Sequence, residues 1–136
     1  MAAGNFSFTI EQGATTDFEL AYKDSSGNPI DLTGYDARMQ LKDSAGGSTT
    51  FLTLSSSLQP DGTGLNLSGS GGLNASKPTT SGSIGIFISH TSSSNLSFTK
   101  AVYDLEIVSG SGTGTVVTRL IQGSVNLSKE VTTGNY

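Results

Sequence analysis

Apolar residues fall at every second position along most of this chain, and that period constrains the fold more than any other feature. Phe6, Phe8 and Ile10 alternate with Ser7, Thr9 and Glu11. Phe18, Leu20 and Tyr22 form a second such run, Tyr35, Ala37, Met39 and Leu41 a third, and Ile84, Ile86 and Ile88 a fourth. Successive side chains of a strand point to opposite faces, so each run reads as a strand with one face buried. Shorter strands fit Phe51 to Leu54 and Leu65 to Leu67. A helical stripe is missing. The nearest approach, His90 to Ser97, is long enough for one or two turns.

Turn chemistry separates the runs: "SSGNP", "SAGG", "PDGTG", "SGSGG" and "SGSGTG". Short strands at this spacing with no helices between them predict an all-β chain. The expected architecture is a single immunoglobulin-like antiparallel β-sandwich of about 7–9 short strands over residues 1–136. Residues 68–82 read as a long Gly/Ser-rich loop, mobile or ordered by a partner. Residues 1–5 and 129–136 are candidate terminal arms.

The last two strands permit a register prediction. With Ser109 to Gly114 as the hairpin loop, Val108 faces Thr115, Ile107 faces Val116, Leu105 faces Thr118 and Tyr103 faces Leu120. The opposite face then sets Asp104 against Arg119 and Glu106 against Val117. Leu120 points inward in this register, yet Val125 and Leu127 also look like core. A bulge near Gln122–Gly123 restores the phase.

Composition bounds the chemistry. Charged residues make up 13% of the chain, about half the usual share. Net charge is −4 and no Lys/Arg cluster exists, so nucleic acid is not an expected partner. An acidic membrane surface would repel the chain, and no apolar run approaches the ~20 residues that span a bilayer. The opening "MAAGNFSFTIEQ" lacks the basic and apolar regions of a signal peptide, so the ordinary secretory route is not expected. The absence of cysteine excludes disulfides and thiolate metal sites.

Four stretches invite a chemical reading and each has a plainer one. "DSSGNPID", Asp24 to Asp31, sets oxygen ligands at alternate positions as a calcium loop does. But Pro29 stands sixth and Tyr35 twelfth, where such a loop needs Gly and Glu, so a tight turn is expected. His90 lies among serines, but without an identifiable base-and-orienter arrangement it reads as a strand-end polar residue. Gly110 to Gly114 lacks the following helix that lets a glycine loop grip phosphate. Asp104 and Glu106 share a face, but Arg119 is their best partner, which argues against a glycosidase pair. No catalytic, cofactor-binding or metal-binding residue is assigned, and an enzyme is not expected.

A resemblance enters through structural motifs. They are Gln12-Gly13 after the opening strand, the turn from Asp24 to Tyr35 ("DSSGNPIDLTGY") and the strand Ala37 to Gln40 ("ARMQ"). "YDLE" at Tyr103 to Glu106 and "RLIQGSV" at Arg119 to Val125 complete the set. Together they resemble small virion structural proteins of tailed bacteriophages, similar to the N-terminal β-sandwich domain of upper baseplate proteins. The resemblance implies a virion component of the tail, neck or baseplate, assembled in the bacterial cytoplasm. Its partners would be other copies of itself and other phage virion proteins, and it implies no catalytic residues. A capsid decoration protein is the nearest alternative. A glycan-binding adhesin using residues 68–82 and the Ser109 to Gly114 tip is a further one.

Overall fold

A computed structural model describes residues 4–74, 76–110 and 112–131. Among them are nine strands: β1 Gly4–Asn5, β2 Phe8–Glu11, β3 Thr16–Ala21, β4 Asp36–Lys42, β5 Thr50–Ser55, β6 Gly64–Asn66, β7 Ser83–Ile88, β8 Lys100–Ser109 and β9 Val116–Ser128. One short helix, α1 His90–Ser94, follows β7. The wide sheet runs β1-β9-β8-β4-β5, with β2 also on β9, and the narrow sheet runs β3-β7-β6. The two pack face to face as an all-β sandwich.

Alternation explains the core. In β4, Ala37, Met39 and Leu41 are buried while Asp36, Arg38 and Gln40 are exposed. Tyr103, Leu105 and Ile107 of β8 lie beside them, facing Ile84, Ile86 and Ile88 of the narrow sheet. Ile10 and Leu32, from β2 and the loop before β4, are fully buried in the same cluster. Burying each of these large side chains contributes ~1.5–3 kcal/mol.

Two pairings depart from the expected antiparallel pattern. β1 and β2 run parallel to β9, with Gly4 beside Ile121 and Phe8 to Glu11 beside Val125 to Ser128. Alternation reports which face is buried and carries no information on strand direction, so the wide sheet is mixed. Phe6, Phe8 and Phe18 close this side of the sandwich, with ring centroids 5.0–6.1 Å apart. The Tyr103 hydroxyl donates to the Phe6 carbonyl. Burial pushes that phenol up to about 12.

The register of β8 on β9 also differs from the expected one. Ser109 pairs with Val116, Ile107 with Thr118 and Glu106 with Arg119, two residues beyond the prediction. Gly110 takes a left-handed φ of 80°, so the ladder extends to Ser109 and the tip shifts along the chain. The phase change does occur, but at Leu120. Glu106 faces Arg119 and Leu105 faces Ile121, leaving Leu120 as the extra residue. Beyond it Tyr103 faces Gly123 and Ala101 faces Val125, so Val125 and Leu127 reach the core. Gly123 has another duty. A Cβ there would sit 2.1 Å from the Phe6 carbonyl oxygen, so glycine admits the N-terminal strand.

Candidate functional site

The Asp24 loop is a turn built by its own carboxylate. Asp24 Oδ1 accepts from the backbone N–H groups of Ser26 and Asn28, each at 2.9 Å. The Asp24 carbonyl accepts from Gly27 N–H, and Gly27 takes φ 84°. Asp31 caps the next turn by accepting from Thr33 N–H, and hydrogen bonding from Thr33, its side chain first and then its N–H, holds the carboxyl below the ordinary 3.8. No three His, Cys, Asp or Glu side chains converge into a metal-holding group among the described residues.

His90 opens α1 and is exposed. Its neighbour Ser89 is the helix N-cap: the Ser89 hydroxyl accepts from Ser92 N–H at 3.1 Å and donates to Asp61 Oδ2 at 2.6 Å. Asp61 also accepts from Thr63 N–H, and Thr63 Oγ1 accepts from Ser89 N–H at 3.0 Å. The Ser89 bond, then the Thr63 bond, holds the Asp61 carboxyl below its ordinary 3.8. Ser89 and Asp61 meet here next to His90 in the sequence, but the serine bonds the carboxylate directly and its oxygen is committed to a cap. Ser93, fully buried on the inner side of α1, accepts from Gly13 N–H at 3.0 Å and donates to the Ala14 carbonyl at 2.8 Å. These polar groups anchor a helix too short to stand alone.

The segment 68–82 is tethered to the narrow sheet. Asp17 accepts from Gly71 N–H at 3.0 Å, while Glu19 accepts from Ser70 N–H at 3.2 Å and from Lys77 Nζ at 2.6 Å. Two 3₁₀ turns, Gly72–Asn74 and Thr79–Ser81, order it further. Its glycines serve close approach. A Cβ on Gly85 of β7 would lie 2.2 Å from the Gly69 carbonyl oxygen, and Gly72 lies against the Phe87 ring. The loop expected to be mobile or partner-ordered is thus bound to its own chain by carboxylates two residues apart on β3.

The candidate arms are likewise engaged where the structure describes them. Residues 4–5 form β1 on the chain's own β9. Past β9, Glu130 N–H donates to Gln12 Oε1 at 2.9 Å, and Gln12 Nε2 donates to the Leu96 carbonyl at 2.8 Å. Gly13 takes φ 84° with the Glu130 carboxylate where a Cβ would stand. The Gln12-Gly13 motif is therefore a clasp on the C-terminal segment. Residues 1–3 and 132–136 of the two arms lie outside the described residues.

Among the described residues, two surfaces of the wide sheet are exposed. The outer face of the wide sheet holds a shallow groove of about 740 Å³. Across it run two registered rows: Ser55–Arg38–Glu106–Arg119 and Thr53–Gln40–Asp104–Gln122. Arg38 Nε contacts Glu106 at 2.8 Å, and Arg119 Nε reaches diagonally to Asp104 at 3.4 Å. The expected Asp104–Arg119 ion pair exists, but across the bulge and not directly opposite. Arg38 was legible only as a polar position in the alternation of β4, because nothing local says which strand lies beside it. The second surface is the edge of β5, the last strand of the wide sheet.

Scanned against protein-family models the chain finds no match, and none is found among curated proteins.

Proposed function

We propose that this chain is a structural subunit of a tailed bacteriophage virion, present in many copies in the tail, neck or baseplate. It would hold neighbouring virion proteins through a strand edge. The observation that carries the reading is β5. It is an edge strand on a sandwich in which Asp24, Asp31, Asp61, Ser89 and Ser93 are engaged in turns and caps of their own chain. Exposed edges accept a partner's strand, and repetition by symmetry multiplies a small contact into a firm one. The motif residues support the same reading. Gln12 and Gly13 clasp the C-terminal segment, Asp24 and Asp31 cap turns, and Gly123 admits the first strand. Each does a scaffold's work.

The test is immunogold electron microscopy of purified particles of the encoding phage, with an antibody to this chain. Label along the tail, neck or baseplate is the expected result. Label spread over the head would make the chain a capsid decoration protein. Unlabelled particles, in a preparation whose major proteins do label, overturn the virion reading.

A further inference from the structure

From the charge and hydrogen-bond pattern of its edges we infer that the chain pairs with a second copy of itself, β5 against β5 in antiparallel register about Thr53. The inference rests on the multi-copy reading above and names its contact. Exposed edges are normally blunted by charge, proline or brevity. The other described edge strands follow that rule: β3 carries Asp17 and Glu19, β2 carries Glu11, and β1 and β6 are two and three residues long. β5 breaks it. Its six residues, TFLTLS, contain no charge, proline or glycine, and no charged residue occurs from Ser44 to Pro60.

Neutrality points to a self-partner. A two-fold antiparallel pair sets each strand against its own sequence, which repels wherever like charges meet. Here none meet. The ladder fixes the register. Ser56 N–H donates to the Ala37 carbonyl, so hydrogen-bonded pairs with β4 fall at Ser56, Leu54 and Leu52. Alternation then turns the N–H and C=O of Thr53 away from β4. Phe51 is the extra residue of a bulge and the Ser55 carbonyl lies against Gly64, which leaves Thr53 as the centre. Pairing about it sets Thr53 against Thr53 on the outer face and Leu52 against Leu54 on the core side, where Leu52 is only half-buried alone. The contact is isologous and closes at two copies.

The absence of cysteine makes the test clean. Thr53 is exposed, so Thr53→Cys leaves the core untouched, and Thr115→Cys at the exposed hairpin tip reports random collision. Opposed residues of a hydrogen-bonded pair have Cα atoms ~5.5 Å apart, within disulfide reach. Paired thiols see an effective concentration on the order of millimolar. At micromolar protein, Thr53→Cys is therefore expected to cross-link roughly tenfold or more faster than Thr115→Cys. It should give dimers only, and a second change, Leu52→Lys, should remove the advantage while circular dichroism stays that of a folded sandwich. Equal rates for the two cysteines overturn the inference. Slow Thr53→Cys in a chain that labels virions overturns self-pairing alone. Fast Thr53→Cys with unlabelled particles overturns the setting and leaves the pairing standing.

Discussion

Ser93→Ala removes one oxygen and is expected to cost more than any surface change in this protein. The Ser93 side chain is fully buried and joins α1 to the turn between β2 and β3. Its Oγ accepts from Gly13 N–H at 3.0 Å and donates to the Ala14 carbonyl at 2.8 Å. Alanine leaves the buried Gly13 N–H without that acceptor, a loss of about 1–3 kcal/mol. The half-buried Ala14 carbonyl can recover part of its bond from water, so the total comes to about 2–3 kcal/mol. For a domain of this size that lowers the melting temperature by about 6–12 °C. The assay is urea unfolding followed by circular dichroism, with Ser94→Ala beside it. Ser94 is exposed and only back-bonds the His90 carbonyl at 2.7 Å, so its loss should stay within about 0.5 kcal/mol. If Ser93→Ala unfolds within that same margin of the unaltered protein at unchanged slope, the buried bridge does not hold α1 as argued.

Three further outcomes follow from the geometry. Gly85→Ala drives a Cβ to 2.2 Å from the Gly69 carbonyl and should cost about 1–3 kcal/mol, with faster amide exchange at residues 69–72; protection unchanged there would show that the loop does not lie on β7. Arg119→Ala removes a 3.4 Å ion pair between half-exposed side chains and should cost no more than about 0.5 kcal/mol, so a melting temperature several degrees lower would contradict the diagonal geometry. The Glu19 carboxyl is held below its ordinary 4.5, first by Lys77 and then by Ser70. Its contribution is therefore complete above 4.5 and fades as pH falls below it, and Glu19→Gln should flatten the acid limb of a stability–pH curve; an acid limb identical in both proteins would remove the tether from the account.

What the sequence disclosed, it disclosed through short-range rules. The period of two separates Ala37, Met39 and Leu41 from Arg38 and Gln40, because the pleat alone decides which side a residue faces. The Asp24 turn was legible because its partners lie within four residues. The phase conflict between Leu120 and Val125 announced a bulge, but its position depended on how far the hairpin extends, which Gly110 decides. Contacts between distant segments left no local trace. Glu19 reads as an outward strand position, and nothing near it says that Ser70, Gly71 and Lys77 return to meet it and Asp17. Glycine richness in 68–82 was read as freedom, whereas Gly69 meets Gly85 backbone to backbone and Gly72 lies against the Phe87 ring. The Asp61–Thr63–Ser89 network was hidden in the same way, among serines too numerous to single out one.

The parallel placement of β1 and β2 on β9 has a mechanical consequence. Gly4 lies at Ile121, near the middle of β9, and Glu11 at Ser128, its last residue, so the chain enters the sandwich about 23 Å along the strand from where it leaves. A pull between entry and exit runs along the strands. The bonds tying β1 and β2 to β9 are then loaded side by side in shear, and must yield together. Antiparallel terminal strands would place entry and exit at the same end and open one bond at a time, like a zip. The order in which the first and last strands meet thus gives this small domain a preferred axis along which to bear tension.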